Sequence, residues 1–217
     1  MDKELRSPDS EFLEMVLEAD RPACSQYVSH ILEQKNTVAD IYESLFMPTL
    51  YEVGTLWEKN QISVSDEHLA TSVIESLMNE LYPNIISDKR TNRKAVVACT
   101  ENELHQIGVK MVADIFELNG WDTYFLGSNV PTNELVKFIE RVHPDLLALS
   151  VSIYFNIPVL EKMIISISDV FPNLEILVGG QAFKHGGYNV FSKYEKVHYL
   201  PDLKNVDNFI NKYPYHE

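Results

Sequence analysis

Apolar side chains recur every three or four residues along the first part of the chain, which is the period of an amphipathic helix. Capping residues and prolines divide this part into four helical segments with short connections. The candidate starts and breaks are the segment from Pro8 to Glu11, then Pro22, Thr37, Pro48 and either Ser63 or Ser65. We expect the first helix to end near Asp20 and Pro48 to kink or split the third. The pattern predicts an antiparallel four-helix bundle over residues 10–83.

A polar linker at residues 84–93 precedes a different pattern, in which short β-branched runs alternate with helical segments. Such apolar runs are typical of parallel strands that are covered on both faces. Strands are expected near 94–100, 122–126, 145–151 and 174–178, helices near 106–119, 132–142 and 157–170, and a last unit near 196–212. The predicted fold class is α + α/β, with a doubly wound, flavodoxin- or Rossmann-like five-stranded parallel sheet over residues 94–215.

The charge balance limits the partners of this chain. Its 217 residues include 18 basic and 32 acidic side chains, a net charge of −14, which argues against direct contact with nucleic acids or anionic membranes. Cys24 and Cys99 lie in a predicted helix and a predicted strand, so a disulfide or zinc site is not expected. No apolar stretch has the length of a membrane span or the character of a secretory signal. We therefore expect a cytoplasmic protein.

The candidate chemistry begins in the segment Glu101 to Gly108, which follows the first predicted strand. His105 falls between that strand and the next helix, at the carboxyl edge of the predicted sheet, where such folds place their ligands. An imidazole at this position can ligate a metal, and Glu103 could hold its other ring nitrogen in one tautomer. An ordinary loop histidine in a flavodoxin-like domain is the alternative.

Two later segments, Ser150 to Ser152 and Gly179-Gly180, also end apolar runs. Forty-one residues separate Gly108 from Ser150, and twenty-six separate Ser152 from Gly179. With these separations, the three segments resemble the cobalamin-binding module of methionine synthase and the base-off mutases. The pattern of that module is Asp-x-His-x-x-Gly, Ser-x-(Thr/Leu/Val) and Gly-Gly. The resemblance covers about residues 93 to 215.

This resemblance implies a role for each matching position. His105 would be the lower axial ligand of the cobalt in the corrin, in a segment that includes Gln106 and Ile107. Gly108 would let the cofactor tail pass, and Ser150 would hydrogen-bond the buried base, with Ser152 nearby. Gly179 and Gly180 would leave room for the nucleotide end. Glu103 stands where the family has aspartate, so its longer side chain would hold His105 differently.

A second set of residues lies in the helical part, where Trp57 is followed after nine residues by Glu67 and His68. Taken singly, a tryptophan is commonly a core aromatic, and a glutamate or histidine at the start of a helix is commonly a surface residue. Together they resemble the Trp-x9-Glu-His signature of the light-sensing, adenosylcobalamin-binding repressors of the CarH type. The resemblance implies that Trp57 stacks over the adenosyl group and Glu67 binds its sugar, with His68 and Val64 beside them.

By this resemblance the helical bundle is a cap, and adenosylcobalamin is held between it and the α/β domain. Photolysis would then change conformation or association, as in a photoreceptor for transcription regulation. Those repressors also have a DNA-binding domain of roughly seventy residues, whereas about nine residues precede the first helix here. We therefore expect output through a homo-oligomer or a regulatory protein partner, unless the chain is a fragment. Glu58 replaces the histidine that follows the tryptophan in relatives.

Three other functions compete with this one. A corrinoid protein that carries methyl groups between methyltransferases, with methylcobalamin as its cofactor, shares the cap and the lower motif. A methyl group is small, however, whereas tryptophan with a Glu-His pair suits a larger polar ligand. Mutase activity is not expected, because there is no barrel domain, and neither is a cofactor-free interaction module. Since we find no catalytic triad or carboxylate pair, we expect no enzyme activity from the chain itself.

Overall fold

The structure is a computed structural model that describes residues 7–213, except for the side chains of His185, Tyr188 and Val190. The chain divides between Ile85 and Ile86 into two compact units, the first helical and the second α/β. Positions 214 and 215, the last two of the predicted sheet domain, lie outside the described residues.

The helical unit contains the predicted bundle. Its elements are α1 (Ser10–Leu17), α2 (Arg21–Glu33), α3 (Val38–Ile41), a π-helical turn (Tyr42–Phe46), α4 (Met47–Glu58), α5 (Val64–Glu80) and a 3-10 turn (Tyr82–Asn84). Because α3, the π-helical turn and α4 follow one another without a break, they form one long helix. Helices α1, α2 and α4 each pack against α5. Phe12 stacks on Phe46 in the core, with ring centroids 5.9 Å apart. The predicted four-helix bundle is confirmed.

Side-chain caps determine where these helices begin. Thr37 and Asp40 form a capping box at α3, and Ser63 and Asp66 form one at α5. Of the two serines predicted for the last start, Ser63 is therefore the N-cap, and Ser65 lies inside the helix.

The first helix ends at Leu17, which is earlier than the predicted end near Asp20. Ala19 adopts a left-handed φ of 56°, and the Asp20 carboxylate accepts the N–H of Ala23 at 3.0 Å. Asp20 therefore caps α2 instead of ending α1.

The disturbance expected at Pro48 takes the form of the π-helical turn. A proline inside a helix has no N–H for the carbonyl four residues earlier, and its ring pushes against that carbonyl. The turn at Tyr42–Phe46 directly precedes α4, in which Pro48 is the second residue. One wider turn thus accommodates the proline, and the chain continues as helix towards Trp57.

The α/β unit has the predicted alternation of strands and helices. Its elements are β1 (Lys94–Cys99), α6 (Ile107–Leu118), β2 (Asp122–Gly127), α7 (Thr132–Val142), β3 (Leu146–Ser150), α8 (Ile157–Val170), β4 (Glu175–Gly179), β5 (Val197–Tyr199) and α9 (Leu203–Lys212), with 3-10 turns at Tyr154–Asn156, Gln181–His185 and Tyr188–Lys193. The five strands are parallel in the order β2-β1-β3-β4-β5. Helix α6 packs with α9, and α7 packs with α8, which covers both faces. The predicted doubly wound sheet is confirmed.

The strand order places a topological switch point next to His105. From β1 the chain moves outward to β2, then returns past β1 to β3 and continues to β4 and β5. At such a switch point the loops after two neighbouring strands leave in opposite directions, and a ligand can enter between them. Here these are the loops after β1 and β3, which carry His105 and Ser152.

In the part of the chain that the structure describes, no helix is both long enough and apolar enough to cross a membrane.

Candidate functional site

His105 lies on the loop between β1 and α6, and its ring is held by a buried carboxylate. Its Nδ1 is hydrogen-bonded to Oε1 of Glu103, and its backbone N–H donates to the same oxygen at 3.2 Å. The Glu103 side chain is fully buried, whereas 58% of the His105 side chain is exposed. This arrangement fixes the ring from the protein side. It makes Nε2 the nitrogen suited to metal ligation.

The second oxygen of Glu103 connects this loop to the turn after β3. Its Oε2 accepts the backbone N–H groups of Ser152 at 2.9 Å and Ile153 at 3.0 Å, and the amide of Asn156 lies 3.4 Å away. One carboxylate thus joins the loops on both sides of the switch point. An aspartate at the same backbone position would be one methylene shorter, so the longer side chain of Glu103 is what reaches both partners here.

These contacts keep Glu103 ionised despite its burial. Burial alone would raise the pKa of the carboxyl group, because it disfavours the charged form. Hydrogen bonds from the His105 ring and from the N–H groups of Ile153, Ser152 and His105 outweigh that effect, and the pKa falls from 4.5 to about 2. Near neutral pH the imidazole therefore faces a carboxylate.

Ser150 is the last residue of β3 and only 8% of it is exposed. Its carbonyl accepts hydrogen bonds from the N–H and the hydroxyl of Thr100, at 2.9 and 3.0 Å. It is in register with Cys99 on one side and Gly179 on the other. The ends of β1, β3 and β4 therefore lie side by side, as the spacing predicts.

The predicted glycines differ in whether packing within the chain leaves room for a side chain at their positions. Gly180 has a φ of 114°, and a Cβ there would lie 2.1 Å from the carbonyl oxygen of Val151. A Cβ on Gly179 would lie 2.9 Å from the carbonyl oxygen of Leu200. Backbone packing alone accounts for this pair.

Gly108 is a different case, because it lies in α6 and a Cβ there would have nothing within 4 Å. Glycine weakens a helix relative to alanine by about 1 kcal/mol. The fold of the chain gives no reason for glycine at this exposed position, so an open space beside Gly108 fits a bound group. Gln106 and Ile107 connect it to His105; Gln106 is half-buried and Ile107 is buried.

The residues predicted for the upper side of the cofactor lie close together in sequence, in the helical unit. Trp57 is near the end of α4 with 46% of its surface exposed, and Val64, 51% exposed, begins α5. Both are large apolar side chains that face solvent in the structure. Glu67 and His68 follow in the first two turns of α5.

The Glu67 carboxylate is held by two neighbours. Oε2 is hydrogen-bonded to Nδ1 of His68 at 2.5 Å, and Oε1 accepts the hydroxyl of Thr71 at 3.0 Å. The exposed fraction is 25% for the Glu67 side chain and 76% for that of His68. His68 and Thr71 thus orient a carboxylate that is still accessible.

The sequence did not reveal four of these contacts. Thr71 was missed, although its position four residues after Glu67 is a readable helical signal. Asn156 and the N–H groups of Ser152 and Ile153 were missed because loop conformation brings them to Glu103. Within residues 7–213, no group of three or more His, Cys, Asp or Glu side chains is arranged to hold a metal ion.

Two relatives match most of the chain at low identity. The HTH-type transcriptional repressor CarA of Myxococcus xanthus is 27% identical over 126 residues, 57% of this chain and 42% of the relative. The HTH-type transcriptional repressor CarH of the same organism is 24% identical over 164 residues, 75% of this chain and 54% of the relative. The chain thus spans about half the length of each.

A solved structure shares the fold over nearly the whole chain. The monomethylamine corrinoid protein of Methanosarcina barkeri superimposes with a TM-score of 0.78 at 14% identity, over 96% of this chain and 97% of that one.

Two family models match consecutive parts of the sequence. Residues 93–189 match the family described as B12 binding domain, and residues 10–82 match a second family with the same description. The first range contains His105 and the strand ends beside it, and the second contains Trp57 and Glu67. Together they cover most of the chain, which is therefore a cobalamin-binding protein with a pair of B12 binding domains.

Proposed function

We propose that the chain is a light-sensing signalling protein whose cofactor is adenosylcobalamin. The observation that carries this proposal is the side-chain set on the helical unit. A half-exposed indole at Trp57 is followed by the Glu67 carboxylate, which His68 and Thr71 hold in place. An indole offers a flat apolar surface, and a carboxylate accepts hydrogen bonds from sugar hydroxyls. These properties suit an adenosyl group, which has a flat base and a ribose.

The α/β unit contributes the lower ligand in this proposal. His105 would bind cobalt through Nε2, with Glu103 fixing the ring through Nδ1. The residues present fit a corrin, because the histidine is exposed at the switch point and the space beside Gly108 is open. Ser150, Ser152, Gly179 and Gly180 would border the tail, with Gln106 and Ile107 at its entry.

Adenosylcobalamin, when bound, supplies a cobalt–carbon bond that light breaks. Trp57, Val64 and Glu67 would contact the adenosyl group in the dark and lose that contact after illumination. A ligand that binds one arrangement of the two units better than another shifts the population between them. His68 or His30 would be needed for a histidine on the upper side in the light, since Glu58 follows Trp57.

The output of this sensor would be a change in association, either with a second copy or with a regulatory protein. The relatives CarA and CarH are transcriptional repressors, which supports a regulatory role for this chain. We do not propose direct contact with nucleic acid, because the chain is strongly acidic. The proposed switch also requires no catalytic step by the chain itself.

The test is a comparison of dark and illuminated protein. Full-length protein loaded with adenosylcobalamin in the dark should show a base-off, histidine-ligated visible spectrum that green light changes irreversibly. Size-exclusion chromatography of the two samples, with and without a candidate partner, should show different association states. A protein that binds adenosylcobalamin but keeps its association state in the light would contradict the sensor.

The alternative is a corrinoid carrier of methyl groups that uses methylcobalamin. It is supported by the fold match with a monomethylamine corrinoid protein, which extends over nearly both chains. A carrier would bind methylcobalamin in preference to adenosylcobalamin and would pass the methyl group to a thiol or tetrahydrofolate in the presence of a methyltransferase. The ratio of the two affinities, measured in the dark, separates the two functions.

A further inference from the structure

Helix α4 contains a glycine that its own surroundings do not require. Gly54 lies in the interior of Met47–Glu58, and a Cβ built on it would have nothing within 4 Å. Glycine in a helix interior loses more backbone entropy on folding than alanine does. A position with free space and ordinary helical backbone would therefore favour alanine if only the stability of the unit mattered.

The neighbours of Gly54 show which side of the helix it occupies. Val53 is buried in the bundle core, with 1% of its surface exposed. Trp57 follows Gly54 by three residues, and residues three apart lie on the same side of a helix, one turn from each other. The bare backbone at Gly54 and the half-exposed indole of Trp57 thus form one continuous strip of the α4 surface.

We propose that this strip is a contact surface for the upper side of the corrin, and that Gly54 lets the macrocycle approach the backbone of α4 closely. A side chain at this position would keep a flat ring system and its upper ligand away from the helix backbone. Glycine has no side chain, so it permits this close approach. Trp57 would flank the cofactor one turn further along. The inference rests on cobalamin binding by the chain, but it applies equally to a sensor and to a methyl carrier.

The proposal predicts opposite effects of Gly54→Ala on stability and on binding. The added methyl group should raise the midpoint of thermal unfolding of the cofactor-free protein by a few degrees, because alanine is the better helix former. The same methyl group should weaken binding of both methylcobalamin and adenosylcobalamin about tenfold, since it would overfill a closely packed contact. Gly54→Leu should weaken both further.

The experiment compares wild type, Gly54→Ala, Gly54→Leu and the control Glu52→Ala as full chains, titrated in the dark with each cobalamin and followed by the visible spectrum. Glu52 lies in α4 on the side opposite Gly54, so its replacement should leave both affinities unchanged. Wild-type affinity in Gly54→Ala would overturn the proposal, and so would a lower unfolding midpoint, which would mean that packing requires the glycine. A wild type that binds both cobalamins without a light response would contradict only the sensor.

Discussion

Glu103 and His105 are joined by a hydrogen bond between a fully buried carboxylate and an imidazole that is more than half exposed. The carboxylate is also bound by the N–H groups of Ser152 and Ile153, so its position is fixed before any ligand arrives. A ligand residue that is already oriented loses little freedom when it binds a metal. The fold thus presents an imidazole that is already oriented at the switch point of the sheet.

The first prediction concerns His105 itself. His105→Ala should remove the histidine-ligated spectrum of bound cobalamin, because the proposed lower ligand is gone. The substitution should cost little stability, since the ring is largely exposed and Glu103 keeps its bonds to Ser152 and Ile153. Visible spectroscopy of the loaded variant checks this, with His143→Asn as the control at a distant helix end. An unchanged spectrum in His105→Ala would refute the ligand assignment.

The second prediction separates charge from shape at Glu103. In Glu103→Gln the remaining oxygen can still accept from Ser152 and Ile153, and the new amide then faces Nδ1 of His105. The imidazole would have to accept at Nδ1 and carry its proton on Nε2, the nitrogen assigned to cobalt. We expect histidine ligation to weaken about 10- to 100-fold, as for other residues that orient metal ligands.

The control for Glu103→Gln is Glu101→Gln, which changes a nearby carboxylate that binds Thr132. It should leave ligation unchanged. Titration with cobalamin, followed by the visible spectrum, measures both variants. Equal ligation in wild type and Glu103→Gln would mean that the tautomer of His105 is set by another group.

Much of the fold could be predicted because its signals are local. The bounds of α7 and α8 agree with the predicted bounds at both ends, since a proline stands at the start of each helix. The π-helical turn could not be predicted, because it depends on how the helix before Pro48 adjusts to the missing N–H. The end of α1 was placed too late, because Asp20 can belong to either helix and only the left-handed Ala19 decides.

The site was predictable to the extent that strand ends determine it. Parallel strands bring their carboxyl ends to one edge, so the spacing of His105, Ser150 and Gly179 was enough to place them together. The contacts of Glu103 with Ser152 and Ile153 depend on the conformation of a loop and on one additional methylene. The sequence also could not show that backbone clashes require Gly180 whereas nothing nearby requires Gly108.

A third prediction tests the residues proposed to contact the upper side of the cofactor. Trp57→Ala should lower the preference for adenosylcobalamin over methylcobalamin about tenfold, because an aromatic contact with the adenine is lost while a methyl group has little to lose. The control is Tyr82→Ala, which removes another exposed aromatic of the helical unit. Dissociation constants for both cofactors in the dark give the ratio. If Trp57→Ala keeps the wild-type ratio, the indole does not recognise the adenosyl group.

A fourth prediction concerns the two cysteines, which the structure places in the cores of the two units. Burial raises the pKa of Cys24 to about 11 and that of Cys99 to about 12. Because the thiolate is the reactive form, neither should react with a thiol reagent at pH 8 in the folded protein. A colorimetric assay should detect both after denaturation. Rapid labelling of the native protein would show that one core opens. The Cys24→Ser variant would then identify which of the two cysteines reacts.

The last prediction concerns Thr71, whose hydroxyl holds Oε1 of Glu67. Thr71→Val keeps the branched shape but removes the donor, so Glu67 should bind ribose hydroxyls in a less defined orientation. We expect adenosylcobalamin to bind about three- to tenfold more weakly. This is less than the loss of a fully buried hydrogen bond to a charged group would cause, because the Glu67 side chain is partly exposed. Methylcobalamin, which has no ribose at this position, should bind as before. Thr71→Ser restores the hydroxyl and should recover adenosyl binding, which a purely helix-stabilising threonine would not do. Equal affinity of Thr71→Val and wild type for adenosylcobalamin would show that this bond serves only the helix.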